Sequence, residues 1–186
     1  MESDWEFEVG GGAPEIEAYW SGFVDLRIAP ERTRELVEAI QLPGLGAALE
    51  ILNRESSPVW TSKCDFWPEL EGDEFDPDEL NATAGYNGHA MSCYIDLLSK
   101  EEHAWSHPAG VEAECIRLCA RLRAIPISCC RVDLVIRSAY ISCESLDFGI
   151  TAYITACGSS APRAKIALQA ALSIFAYTIS ETSKLQ

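Results

Sequence analysis

Residues 130–142 (CRVDLVIRSAYIS) and 148–157 (FGITAYITAC) are two runs dense in β-branched side chains, separated by Glu144, Ser145, Leu146 and Asp147. Val, Ile and Thr are stiff at their first side-chain torsion and pack well on a pleated surface. Two such runs with a short polar joint predict a β-hairpin. The helix expected next, over 162–179, is apolar nearly all round (Ile166, Ala167, Leu168, Ala170, Ala171, Leu172, Ile174, Phe175). Such a helix lies either in the middle of a fold or under a second subunit.

The same periodicities divide the rest of the chain. Strands are expected at 19–28, 58–66 and 89–99, a helix opening at Pro30 with a break at Pro43-Gly44, and a helix over 109–124. That second helix carries Val111, Cys115, Leu118, Cys119 and Leu122 on one face. Strand, helix, strand, strand, helix, strand is the split βαβ order of ferredoxin-like folds. An added strand and a C-terminal helix follow it. The expected class is therefore α+β, with a mixed or antiparallel sheet. Residues 1–17, with Gly10-Gly11-Gly12 in the middle, read as a flexible acidic arm, and 18–186 as a single domain.

The charge is lopsided. Of 29 Asp and Glu against 14 Lys and Arg, 20 and 5 fall within residues 1–80, and 9 and 9 follow, so the front half carries the whole excess of -15. A field of that sign repels nucleic acid and anionic lipid and attracts basic proteins and cations. No run of 18 apolar residues is present, and the acidic first residues lack the basic and apolar pattern of a signal peptide, so a cytoplasmic location is expected. The eight cysteines fall mostly within apolar runs and read as reduced core residues.

The densest charge is in residues 65–79 (DFWPELEGDEFDPDE), with no Lys or Arg between Lys63 and Lys100. Phe66, Trp67 and Phe75 stand there among Glu69, Glu71, Asp73, Glu74, Asp76, Asp78 and Glu79. Aromatic anchors ringed by charge have the composition of a protein-binding hot spot. A solvated loop is the plainer alternative. Asp76 and Pro77 predict a short helix over 76–80. The acids do not follow the calcium-loop spacing of ligands at positions 1, 3, 5 and 12 with glycine at 6.

Other chemistry is weakly marked. His103 and His107 are four apart, the interval of two zinc ligands on one helix face, but Pro108 disfavours helix there and no His-Glu-x-x-His order is present. A metal-dependent hydrolase using this pair is one alternative function. An oligomeric scaffold or small-molecule binding domain, joined through the C-terminal helix, is another. No cysteine sits in a C-x-x-C pair, and Gly10-Gly11-Gly12 lacks the Lys-Ser/Thr of a phosphate loop. No metal or cofactor is expected.

A small acidic α+β chain without a catalytic signature, with a strand-then-helix opening, Trp60 ahead of the acidic segment and Tyr86-Asn87-Gly88 leading into a strand, resembles the immunity proteins of bacterial polymorphic-toxin and type VI secretion systems. Within them it resembles the group that neutralises nuclease toxins of restriction-endonuclease-like fold, over about residues 18–125. The resemblance implies binding without catalysis. The partner would be a basic toxin whose active site is occluded, with Phe66, Trp67 and Phe75 as anchors and the neighbouring carboxylates steering the encounter.

Overall fold

Alternation along the long strands decides how the molecule is layered. The computed structural model describes residues 1–70, 74–82, 88–142 and 145–181. Its elements are β1 (Glu2–Phe7), β2 (Ile16–Glu17), a 3₁₀ turn (Pro30–Glu35), α1 (Val37–Gln41), α2 (Pro43–Asn53), β3 (Val59–Trp67), β4 (His89–Ser99), α3 (Pro108–Arg123), β5 (Cys130–Ser142), β6 (Ser145–Gly158) and α4 (Ala161–Ser180). The strands form one mixed sheet in the order β1-β5-β6-β4-β3. β1 and β2 lie end to end along the outer edge of β5, parallel to it, and the other pairings are antiparallel. The fold is α+β, with the expected elements from β3 onward and an added strand, β6, at the centre of the sheet.

On one face Cys93, Ile95 and Leu97 of β4, Val132, Leu134 and Ile136 of β5, and Ile150, Ala152 and Ile154 of β6 are fully buried in the main core. The helices cover this face. Each brings an apolar stripe, Leu45, Leu49 and Leu52 from α2, the predicted five residues from α3, and Leu168, Leu172 and Phe175 from α4. Most of the apolar surface of α4 is thus buried within the chain, with Ile166 and Tyr177 left exposed. Among the described residues no helix is long and apolar enough to cross a membrane.

Three expectations are corrected. The acidic arm is not free: residues 2–7 are strand β1, and residues 16–17 are strand β2. Alternation explains it, because Ser3 and Trp5 turn inward while Asp4 and Glu6 stay in water. The Ser3 hydroxyl donates to Cys119 Sγ (3.3 Å), and Arg123 Nε donates to the Ser3 carbonyl (2.7 Å), tying β1 to α3. Gly10 and Gly12, at φ 123° and 92°, turn the chain between the two strands in a region closed to most side chains. Residues 19–28 are turns rather than a strand; Phe23 N–H donates to the Trp20 carbonyl, and Gly22 has φ 105°. The helix expected over 76–80 is a turn, in which the Asp76 carboxylate accepts the Asp78 N–H at 2.9 Å.

Candidate functional site

Among the described residues no helix lies over the other face of the sheet. Two stretches of chain cross its ends. At one end Ile16 and Ala18 pack on Trp60, Leu98 and Ala139 in a small second core. Ser62 Oγ donates to the carbonyls of Glu17 (2.8 Å) and Ala18 (3.0 Å), so this strap runs from β5 across to β3. Gly149 makes the crossing possible: a Cβ there would stand 2.7 Å from Ile16 Cδ1. At the other end Leu70, Phe75 and Leu80 of the acidic segment close over Ala90, Cys129 and Cys157. A groove is left between the two crossings.

Its floor is assembled by register. Tyr94 pairs with Tyr153, and Asp96 with Thr151, across β4 and β6. A bulge between Thr61 and Cys64 in β3 shifts the alternation by one, so Trp60 before it and Trp67 after it both reach the open face. Asn53 pins α2 to this irregularity, donating to Thr61 Oγ1 (2.7 Å) and accepting from Thr61 N–H (3.0 Å). Trp67, 37% exposed, lies 5.7 Å from the Tyr94 ring and 6.5 Å from Tyr153, nearly parallel to the latter at 17°.

Beside the aromatic row runs a polar relay. Arg137 is held by Glu8 (2.7 Å) and donates to Tyr153 Oη and Thr151 Oγ1 (3.2 Å each). The Thr151 hydroxyl in turn donates a hydrogen bond to Asp96 Oδ1 at 2.6 Å. Asp96 is only 7% exposed, and burial pushes its carboxyl up to about 6 against the opposing pull of the Thr151 hydrogen bond, Arg137 and Lys63. Burial also raises Asp133, although Arg131 donates to it at 2.7 Å. Arg131 reaches Glu79 as well (3.6 Å), which fastens the acidic segment to the sheet.

The groove has two lobes of about 400 and 360 Å³ that share Arg137 and Tyr153. Among the described residues, Asp4, Glu6, Glu15, Glu17, Asp96 and Asp133 line it, against Lys63, Arg131 and Arg137. The lining is therefore acidic and aromatic. It suits a cationic group better than an anion.

The residues singled out in the sequence are divided by the structure. Trp67 is in the groove. Phe66 is 8% exposed and belongs to the main core, so it is not a surface anchor. Phe75 is half-buried and holds its loop down. Glu69, Glu74, Asp76, Asp78 and Glu79 are exposed, while Glu71, Asp73, Tyr86 and Asn87 lie outside the described residues. Tyr94, Asp96, Arg137, Thr151 and Tyr153 carry no signal as a site in the sequence, because they are scattered over three apolar runs, β4, β5 and β6, and only the pairing brings them together.

The histidine pair assembles no site with the thiols. His103 and His107 are exposed in the loop before α3, whereas Cys115 is buried in the core. Among the described residues no group of three or more His, Cys, Asp or Glu could hold a metal ion. Burial raises Cys64 to about 12 and Cys130 and Cys157 to about 11, which leaves these thiols neutral and weak as nucleophiles. Compared with family models, curated proteins and solved structures, the chain matches none.

Proposed function

We propose that this is a non-catalytic inhibitor, in the manner of a toxin-neutralising immunity protein, that docks a basic protein on the open face of its sheet and acts in the cytoplasm. One observation carries the reading. A groove that no helix covers among the described residues presents Trp67, stacked on Tyr153 and tilted against Tyr94, within a lining of carboxylates, on a chain of net charge -15. Buried aromatic anchors within a charged rim describe the interface anatomy of a specific complex. The excess charge speeds encounter with a basic cleft more than it tightens the final contact. A nuclease toxin, whose substrate is polyanionic, carries such a cleft.

The test is copurification from the native source at low salt, with mass-spectrometric identification of the retained protein and measurement of its association rate. The expected partner is basic, its nuclease activity is suppressed by an equimolar amount of this protein, and association slows steeply with salt. Reversing Glu69, Glu74, Asp76 and Asp78 to Lys is expected to slow association about tenfold or more, as loss of steering does. A neutral or acidic partner, or an on-rate indifferent to salt, defeats the reading.

A further inference from the structure

We infer that Asp96, framed by Trp67, Tyr94 and Tyr153, is the seat for one lysine or arginine side chain of the docked protein, an inference that rests on the reading above. Asp96 lines the 360 Å³ lobe, yet its side chain is nearly as buried as the core leucines. The cations around it are otherwise engaged. Arg137 is committed to Glu8, Thr151 and Tyr153, and Lys63 lies 5.8 Å from the centre of the Trp20 ring. Among the described residues no ion pair reaches the Asp96 carboxylate, and Thr151 Oγ1 donates its one described hydrogen bond. A buried carboxylate without a paired cation is costly to the folded chain, so the geometry leaves the countercharge to be brought by the ligand.

The surroundings select the kind of cation. Trp67 and Tyr94 offer ring faces, and a guanidinium or ammonium gains from such faces when water is excluded. The lobe is at the small end of ligand pockets, large enough for one side chain and its alkyl stem. Glu15 and Glu17 of the strap stand at its mouth to pair with further positive charge on the same segment.

The seat is filled only while Asp96 is ionised. The groups facing it are Lys63, Cys64 and Asp65 from β3, Tyr94 from β4, Arg137 from β5, and Thr151 and Tyr153 from β6, with Glu15 and Glu17 across the lobe. Burial holds Cys64 and Tyr94 above their ordinary ranges, so they stay neutral near neutrality. With Asp96 near 6, its ionised fraction falls about tenfold between pH 7 and 5, and affinity for a cation falls with it.

The probe is an acetylated hexa-arginine amide titrated into the full chain at low salt, by calorimetry and by NMR of the tryptophan indole N–H groups. Expected are a shift of the Trp67 indole resonance and an affinity about tenfold weaker at pH 5 than at pH 7. Asp96→Asn and Trp67→Ala each weaken binding at pH 7 about tenfold, and Asp96→Asn removes the pH dependence, with near-ultraviolet circular dichroism confirming that both fold. If Asp96→Asn binds the peptide as the parent does and keeps its pH dependence, the seat is overturned. Loss of binding in the four-carboxylate reversal would then still uphold docking of a basic partner. If the parent protein does not bind the peptide at all, both fall together.

Discussion

The two faces of one sheet are made from the same strands and serve different ends. On the helix side, β4 contributes Cys93, Ile95 and Leu97, and β6 contributes Ile150, Ala152 and Ile154, all at or near zero exposure. One residue over, the same strands contribute Tyr94 and Asp96, and Thr151 and Tyr153. The period of two thus separates an apolar core face from a polar and aromatic one, the face proposed to dock a partner, without any division of the chain. The helix face holds apolar groups that lower the free energy of the fold. The open face holds a carboxylate whose burial raises it. A group that costs stability in a groove marks a place shaped by something other than folding.

The comparison predicts a steep asymmetry between substitutions on the two faces. Phe175 of α4 is fully buried against the helix side of the sheet, and Phe175→Ala is expected to cost about 3–5 kcal/mol in denaturant unfolding, from lost transfer free energy and the cavity left behind. A cost under 1 kcal/mol would mean that α4 is not central to the core. At the strap, Gly149→Val places a side chain against Ile16 Cδ1, Leu98 Cδ2 and the Leu97 carbonyl, all within 3.0 Å of the new Cβ. The expected loss is about 1–3 kcal/mol, the usual range for overpacking. Ile16→Ala combined with Gly149→Val should recover part of it, because the two sites share one contact.

Legibility in the sequence follows the same division. The helix-side elements were readable because a continuous apolar stripe needs only its own neighbours to be recognised: α3 and its five inward residues, α4, and β3 to β6 stand where the periodicity puts them. β1 was obscured by its acids, since an edge strand exposes alternate residues and Asp4 and Glu6 mask the inward Ser3 and Trp5. Residues 19–28 misled for the opposite reason. Tyr19 and Phe23 are apolar because their rings meet Trp60, 5.7 and 5.9 Å away, rather than because they enter a ladder. Of the groove only Trp67 was visible: the acids that line it are Asp4, Glu6, Glu15, Glu17, Asp96 and Asp133, not those of the acidic segment. Asp96 and Thr151 are 55 residues apart, and their 2.6 Å hydrogen bond exists only once the β4–β6 register is known.

Asp96→Asn sharpens the contrast, because it is expected to stabilise. The folded carboxyl titrates near 6 and the ordinary value is 3.8, so the folded chain holds the proton more tightly than the unfolded one. Stability linked to this group is full below pH 4 and is lost as pH rises through 6. Asparagine keeps an oxygen for Thr151 and carries no charge to desolvate. Its gain at pH 7.5 is expected to be about 1–2 kcal/mol, shrinking toward zero at pH 4. Melting temperatures of both proteins across that range test it. A variant less stable than the parent at pH 7.5 would mean that the carboxylate is compensated in the folded chain, and the strongest physical sign of a site in the groove would be gone.

The smallest effect on folding is expected where the charge is densest. Glu69, Glu74, Asp76 and Asp78 are exposed, and the loop that carries them is packed down by Leu70, Phe75 and Leu80 and tied by the Arg131–Glu79 pair, which the reversal leaves in place. Reversing all four to Lys brings the net charge from -15 to -7, a change of +2 at each position, which relieves self-repulsion. The change in unfolding free energy is expected to stay within about 0.5 kcal/mol, on the stabilising side at low salt and vanishing as salt screens the field. Association with a basic partner should slow in the same variant, so folding and recognition respond to one set of substitutions with different magnitude and sign. A loss of several kcal/mol on reversal would place the acids in the architecture of the loop, and the boundary between a face that folds and a face that binds would have to be redrawn through it.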